Sequence, residues 1–220
     1  MKIAIIGDCH GDPYYKNIRR ANKVKPDYII VCGDFGYIWT DTIETKKVLA
    51  YMSKSFKPVI LFVDGNHENF DMLDRIENVD MFGSKVGKVT DKIFHLKRGH
   101  IYNIGGKRFF VFGGAYSIDR RYRIKGQSWW EQELPTEEQK QFAIKNINKA
   151  KCVDYVITHT VPTRYVYELG FNIVHDETSD FLTFIDLNLE YEKWFFGHFH
   201  MDTTLGNKIG IYEKTYLLEF

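Results

Sequence analysis

A chain of 220 residues with 44% hydrophobic and 16% aromatic side chains carries enough apolar material for one well-filled core, and a single domain over residues 1–220 is expected. Its 30 basic and 29 acidic side chains nearly cancel, so the global charge offers no footprint for wrapping nucleic acid or lying on an anionic surface, and strong duplex binding is not expected. The opening MKIAIIGDCHGD has too short an apolar run for a signal peptide, and no stretch of about 18 apolar residues suggests a membrane span, so a cytoplasmic protein without a membrane partner is expected.

Short runs rich in Ile, Val and Phe end abruptly in Gly or in polar clusters, the pattern of buried strands feeding functional loops. The first strand is Lys2 to Ile6, followed by a helix around Pro13 to Lys23. The second is Tyr28 to Cys32, followed by a helix around Thr42 to Ser55, and a third, Val59 to Val63, leads into a short helix near Phe70 to Arg75. Strand and helix alternate, so the class is α/β with right-handed crossovers and a parallel sheet. The rhythm then changes: Ile93 to Leu96, Ile101 to Ile104 and Arg108 to Phe112 follow one another closely, and Gly105-Gly106 reads as a hairpin turn. Thr136 and Gln139, beside Pro135, form a capping box for a helix to about Lys149. Val153 to Thr158 and Trp194 to Phe196 are two more strands, and the alternation from Lys208 to Phe220 reads as a terminal hairpin.

Cys9, Cys32 and Cys152 are widely spaced with no CxxC pair. They are expected to be small buried hydrophobes rather than a disulfide framework or a nucleophile. His95 and His100 fall within or beside the hairpins and are expected to be structural; His175, in a polar stretch before a helix, is expected at the surface or as a cap.

Five strand ends carry the chemistry: Asp8-Cys9-His10, Asp34, Asn66-His67, His159 and His198-Phe199-His200. In an open α/β sheet, ligands bind in the crevice outside the carboxyl ends of the strands, where residues distant in sequence converge. Carboxylates, imidazoles and an amide oxygen suit divalent ions such as Mn²⁺, Fe²⁺, Co²⁺ or Zn²⁺, and the absence of thiolates argues against a closed structural zinc site. Asp-x-His and His-x-His put two side chains on one face of an extended segment, so each can chelate or straddle.

These blocks, Gly7-Asp8-Cys9-His10, Gly33-Asp34, Gly65-Asn66-His67-Glu68, His159 and Gly197-His198-Phe199-His200, resemble those of the calcineurin-like metallophosphoesterase superfamily, in order and across positions 7 to 200. The resemblance implies an α/β/β/α sandwich of two mixed sheets flanked by helices. It implies that Asp8, His10 and His200 hold one divalent ion, that Asn66, His159 and His198 hold another, and that Asp34 bridges them. Mn²⁺ leads the candidates, ahead of Fe, Zn, Co and Ni. Two ions about 3.5 to 4 Å apart clamp a phosphate and lower the pKa of a bridging water toward neutrality, giving the attacking hydroxide. His67 is then the catalytic, non-ligand histidine that protonates the departing alkoxide.

The segment Gly113 to Trp130, within a substrate-side insert over residues 113–135, joins a strand end to cationic and aromatic residues. Arg120, Arg121 and Arg123 are the substrate-binding candidates, because a planar guanidinium suits phosphate, and Trp129 or Trp130 could stack on a base. Protein serine/threonine phosphatases would continue the second block as Gly-Asp-x-x-Asp-Arg-Gly, whereas this chain reads Gly33-Asp34-Phe35-Gly36-Tyr37-Ile38. A small phosphomonoester or phosphodiester, nucleotides included, is therefore the expected substrate. Protein phosphatase-like activity and a catalytically silent scaffold of the same fold are the alternatives.

Overall fold

The computed structural model describes residues 1–172 and 176–220, so the expectation for His175 lies outside the described residues. In chain order the elements are β1 (Lys2–Ile6), α1 (Lys16–Asn22), β2 (Tyr28–Val31), α2 (Ile43–Ser55), β3 (Val59–Phe62), α3 (Phe70–Leu73), β4 (Asn78–Met81), β5 (Ser84–Lys88), β6 (Ile93–Leu96), β7 (Ile101–Ile104) and β8 (Lys107–Phe112). There follow α4 (Glu137–Ala150), β9 (Tyr155–Thr158), α5 (Thr163–Glu168), α6 (Glu177–Asn188), β10 (Lys193–Phe196), β11 (Thr203–Leu205), β12 (Lys208–Gly210) and β13 (Tyr216–Glu219).

Among the described residues the strands form two mixed sheets, one ordered β13-β1-β2-β3-β6-β5-β4 and the other β11-β12-β10-β9-β8-β7. The strands nearest the site are apolar on both faces because both faces are covered. In β1, Ala4 and Ile6 pack toward the layer of α1, α2 and α3, while Ile3 and Ile5 meet Tyr102, Phe109, Tyr155 and Phe195 of the other sheet. The outer face of the second sheet packs Phe110, Phe112, Trp194 and Phe196 against Ala143 and Ile147 of α4 and Leu182 and Ile185 of α6. The result is an α/β/β/α sandwich. Each fully buried Ile or Phe contributes about 1.5–3 kcal/mol relative to an exposed one.

Local sequence signals set the ends. Thr42 caps α2 by accepting from the Thr45 N–H at 3.3 Å. The Thr136–Gln139 capping box opens α4, with reciprocal bonds of 3.3 and 3.1 Å, a device in which the cap alone is worth about 1 kcal/mol. Gly105 and Gly106, at φ 64° and 82°, make the turn between β7 and β8, and positive φ at both central residues is what the tight hairpin turn requires.

Three expectations need correction. The tail is not a hairpin: β12 pairs with β10 and β11 in the second sheet, while β13 crosses to pair antiparallel with β1 in the first. The helix expected from Pro13 starts only at Lys16, because Tyr15 takes a left-handed conformation at φ 53°. Cys9 and Cys32 are buried, but Cys152 is only half-buried. The β4–β5 hairpin was not anticipated; its turn is Phe82-Gly83, also at positive φ.

Candidate metal centre

β1, β2 and β3 of one sheet and β9 and β10 of the other end at a common rim, so Asp8, His10, Asp34, Asn66 and His67 face His159, His198 and His200 across the seam between the sheets. The loops are tied to one another by backbone. Cys9 and His10 donate their N–H groups to the Asp34 carbonyl at 2.9 and 2.7 Å, and Gly11 donates to the Phe35 carbonyl at 3.0 Å. The spacing is so tight that a Cβ on Gly33, Gly65 or Gly197 would come within 2.0–2.2 Å of His159 Nδ1, Asp34 Oδ1 or Asp8 Oδ1, respectively. The glycines of the sequence blocks are thus the places where one candidate ligand packs onto the backbone of another. His10, Asp34, His198 and His200 all adopt positive φ, between 48° and 65°. Such conformations are uncommon outside Gly, Asn and Asp, and persist where the surroundings over-determine them.

Around Asp8 the donor atoms converge without pairing off. Oδ1 accepts from the His198 N–H at 3.0 Å. Oδ2 is buried with no well-formed hydrogen bond, 3.0 Å from His200 Nε2 and 3.6 Å from His10 Nε2. Those two ring nitrogens lie 2.9 Å apart. A buried carboxylate oxygen without a partner is costly, and a divalent cation among these three groups satisfies all of them.

The second half is organised by tautomer. His159 Nδ1 donates to the Cys32 carbonyl at 2.8 Å, and Nε2 lies 3.0 Å from Asn66 Oδ1 and 3.4 Å from Asp34 Oδ1, two acceptors that it meets with a proton when no cation is bound. Burial lowers the proton affinity of His159, but the charges of Asp34 and Asp8 outweigh it and push it up. The buried carboxylates call for positive charge, which a cation supplies when it displaces a proton. His198 is pushed down to about 3 by burial and by neighbouring His159, which leaves a neutral ring suited to ligation. Three groups of acidic and imidazole residues, Asp8–His10–His200, His10–Asp34–His67 and Asp8–Asp34–His159, each bring one ligand atom per residue within 4.8 Å of the others. The donor set fits divalent ions bound through nitrogen and oxygen.

Outer residues to which the sequence assigned no role hold this arrangement. Asn66 Nδ2 donates to Ser117 Oγ at 3.0 Å, turning its carbonyl oxygen inward, and Ser117 Oγ donates to Glu133 Oε2 at 2.9 Å. Glu68 is fully buried and accepts from the Phe35 and Gly36 N–H groups at 2.7 and 3.2 Å, fixing the Asp34 loop. Partners of this kind orient ligands and tune the ion. His67 is anchored by its backbone N–H to Asp34 Oδ1 at 2.8 Å.

The three arginines part company. Arg123 reaches the rim, with Nη2 2.7 Å from His67 Nε2, and is held by Asp119 at 2.8 Å. Arg120 pairs with buried Glu133 and lies over the rings of Tyr116 and Trp129 at 4.3 and 4.7 Å. Arg121 lies over the exposed Tyr122 ring at 4.6 Å. Neither tryptophan faces the rim: Trp130 is buried and donates to Asp71 at 2.9 Å, and Trp129 covers Arg120. The walls of the pocket over the rim, about 370 Å³, come instead from Tyr116, Ile118, Phe171 and Phe199.

The sequence matches the model of the calcineurin-like phosphoesterase family over residues 1–202, and the chain belongs to that family. The lariat debranching enzyme of Schizosaccharomyces pombe is 28% identical over 183 residues, which cover 74% of this chain and 37% of that enzyme; the chain thus spans little more than a third of that relative. A solved crystal structure superposes with TM-score 0.59 at 13% identity, over 100% of this chain and 98% of that one, a likeness of fold. Among the described residues no helix is long and apolar enough to cross a membrane.

Proposed function

We propose that this chain is a dinuclear phosphoesterase acting on a small phosphoester with a nucleoside-sized organic group. Asp8, His10 and His200 hold one ion, Asn66, His159 and His198 the other, and Asp34 lies between them. The observation that carries the reading is the buried, unpartnered Asp8 Oδ2 amid converging imidazoles. When bound, two divalent ions, with Mn²⁺ the first to test, supply neutralisation of the phosphate and activation of water for in-line attack.

The chain's own residues do the rest. Arg123 offers its guanidinium to the phosphate beside His67. Burial lowers the proton affinity of free His67; Asp34 opposes that and Arg123 reinforces it. A phosphate docked next to the ring brings negative charge that restores the proton, so substrate arms the residue that protonates the leaving oxygen. Ile118, 74% exposed at the pocket mouth, and Phe171 present apolar surface beyond the phosphate. A pocket of this volume suits a small organic ligand, and similarity to an enzyme named for debranching lariats favours a nucleotide-containing ester.

The test is hydrolysis of p-nitrophenyl phosphate, its bis ester, nucleotides, dinucleotides, cyclic nucleotides and a phosphopeptide by protein loaded in turn with Mn²⁺, Fe²⁺, Co²⁺, Ni²⁺ and Zn²⁺. Turnover is expected with at least one nucleotide-containing ester. Retained metal without turnover of any ester would mean a silent scaffold, and preference for the phosphopeptide would mean a protein phosphatase.

A further inference from the structure

Between α3, the ends of β5 and β6 and the first turns of α4 lies a separate cavity of about 630 Å³, lined by none of the candidate metal ligands. Two groups of its lining lack partners among the described residues. His95 is 4% exposed, and its Nδ1 makes no hydrogen bond. The half-buried Lys97 has its backbone N–H bonded to Tyr102, but no hydrogen bond or ion pair engages its ammonium. Burial disfavours that ammonium, with Asp64 and Asp74 acting in the opposite direction. Arg98, by contrast, is saturated. Its Nε donates to Asp64 at 2.8 Å, and its Nη groups donate to the Gln132 carbonyl at 2.9 Å and to Gln139 Oε1 at 3.2 Å.

The tautomer of His95 follows from its other nitrogen. Asp64 is ion-paired with Arg98, whose Nε donates to Oδ2 at 2.8 Å and whose Nη2 meets the same oxygen. An ionised carboxylate only accepts, so His95 Nε2 carries the proton and donates to Asp64 Oδ1 at 3.0 Å. The ring is neutral, pushed down to about 4 by burial and by Lys97. Its Nδ1 is therefore a lone pair waiting for a donor. The cavity thus presents an ammonium that Asp64 and Asp74 favour without any contact ion pair and, in the same lining, an acceptor that lacks an O–H or N–H among the described residues. The Lys85 ammonium, also in the lining, is already paired with Asp80 at 2.7 Å, and Phe70 and Phe142 give the lining apolar surface.

We infer that this cavity is a second ligand site for a small hydroxylated phosphate, with its phosphate on Lys97 and a hydroxyl donating to His95 Nδ1. Sugar phosphates and nucleotides share that chemistry, and the volume falls in the range of small-molecule sites, about 300–1,000 Å³. A lone phosphate satisfies only half of the lining, and an uncharged polyol only the other half. The ligand would rest one hydrogen bond from Asp64, which directly precedes the Gly65-Asn66 block and whose carbonyl accepts from the Gly114 N–H at 2.9 Å.

The experiment is a heteronuclear NMR titration of the full chain loaded with diamagnetic Zn²⁺. The probes are inorganic phosphate, ribose, and the 5′-phosphonate analogues of ribose 5-phosphate and AMP, whose C–P bond resists hydrolysis. Saturable shifts of the His95 ring nitrogens and of the Phe142 amide are expected with the phosphonates, at least tenfold tighter than with inorganic phosphate and absent with ribose. Tighter binding of the AMP analogue would identify a nucleotide as the occupant, and equal binding a sugar phosphate. Lys97→Met is expected to weaken the shifts at least tenfold while turnover of p-nitrophenyl phosphate stays unchanged. Shifts confined to the metal rim, inorganic phosphate binding as tightly as the phosphonates, or unaltered affinity in Lys97→Met would each overturn the proposal. The localisation of the wild-type shifts decides it even if the variant does not fold.

Discussion

The metal rim and the segment after β8 are built on opposite plans. At the rim, each candidate ligand lies within four residues of a strand end, Gly33, Gly65 and Gly197 let ligands pack onto neighbouring backbone, and loop-to-loop backbone bonds lock the loops. In residues 113–135 the positions are set by side chains choosing one another. Arg120 goes to Glu133, Arg123 to Asp119 and His67, and Arg121 to the outside. Backbone-fixed chemistry is written in order along the chain; side-chain-fixed chemistry is decided only by tertiary pairing.

Mutations can sharpen that contrast. The largest effect is expected at the rim's midpoint. Asp34→Asn removes the charge between the two proposed ion positions and should lower both metal content and turnover, the latter by about a thousandfold or more, since metal catalysis is worth several kcal/mol. Elemental analysis beside a rate assay reads both; unchanged metal and rate would break the assignment. Next, His67→Ala should retain metal and slow turnover by about 10²–10⁴-fold, most for esters with poor leaving groups. An equal loss for good and poor leaving groups would argue against proton donation.

Smaller changes probe the second plan. Ser117→Ala frees the Asn66 amide from the outer partner it has among the described residues and should weaken metal affinity by about 10–100-fold, read by competition with a chromophoric chelator; no change would show that the backbone alone orients Asn66. Among the arginines, Arg123→Ala should raise KM for phosphoesters. Arg120→Ala should spare KM but lower stability by about 1–3 kcal/mol, because Glu133 keeps a buried charge with one partner fewer. Arg121→Ala should change neither, as measured by steady-state kinetics and urea unfolding. Three equal kinetic effects would abolish the distinction drawn between them.

The same contrast explains what the sequence made legible. The α/β alternation and the strand-end placement of Asp8, Asp34, Asn66, His159 and His198 followed from apolar runs that stop at polar residues, a signal local to each strand, whereas the two-sheet sandwich came only with the resemblance to the family. Ser117 and Glu133 gave none, because their significance lies in a pairing across 16 residues with the Asn66 side chain beyond. The β4–β5 hairpin was hidden by a strand of alternating exposed and half-buried positions and a Phe-Gly turn. β13 alternates like a hairpin arm, but alternation does not say which sheet a strand joins. The two tryptophans could not be placed from the sequence, because an aromatic ring stacks as readily on a guanidinium or in a core as on a base.

The rim lies on the seam, with Asp8, Asp34 and Asn66 contributed by one sheet and His159, His198 and His200 by the other. Cations held there would act as rivets between the halves of the sandwich, and their binding energy would count directly toward keeping the molecule folded. At a free ion concentration a hundredfold above the dissociation constant, that amounts to about 2.7 kcal/mol per site. The melting temperature should therefore climb with metal supply, even in a His67→Ala protein that barely turns over.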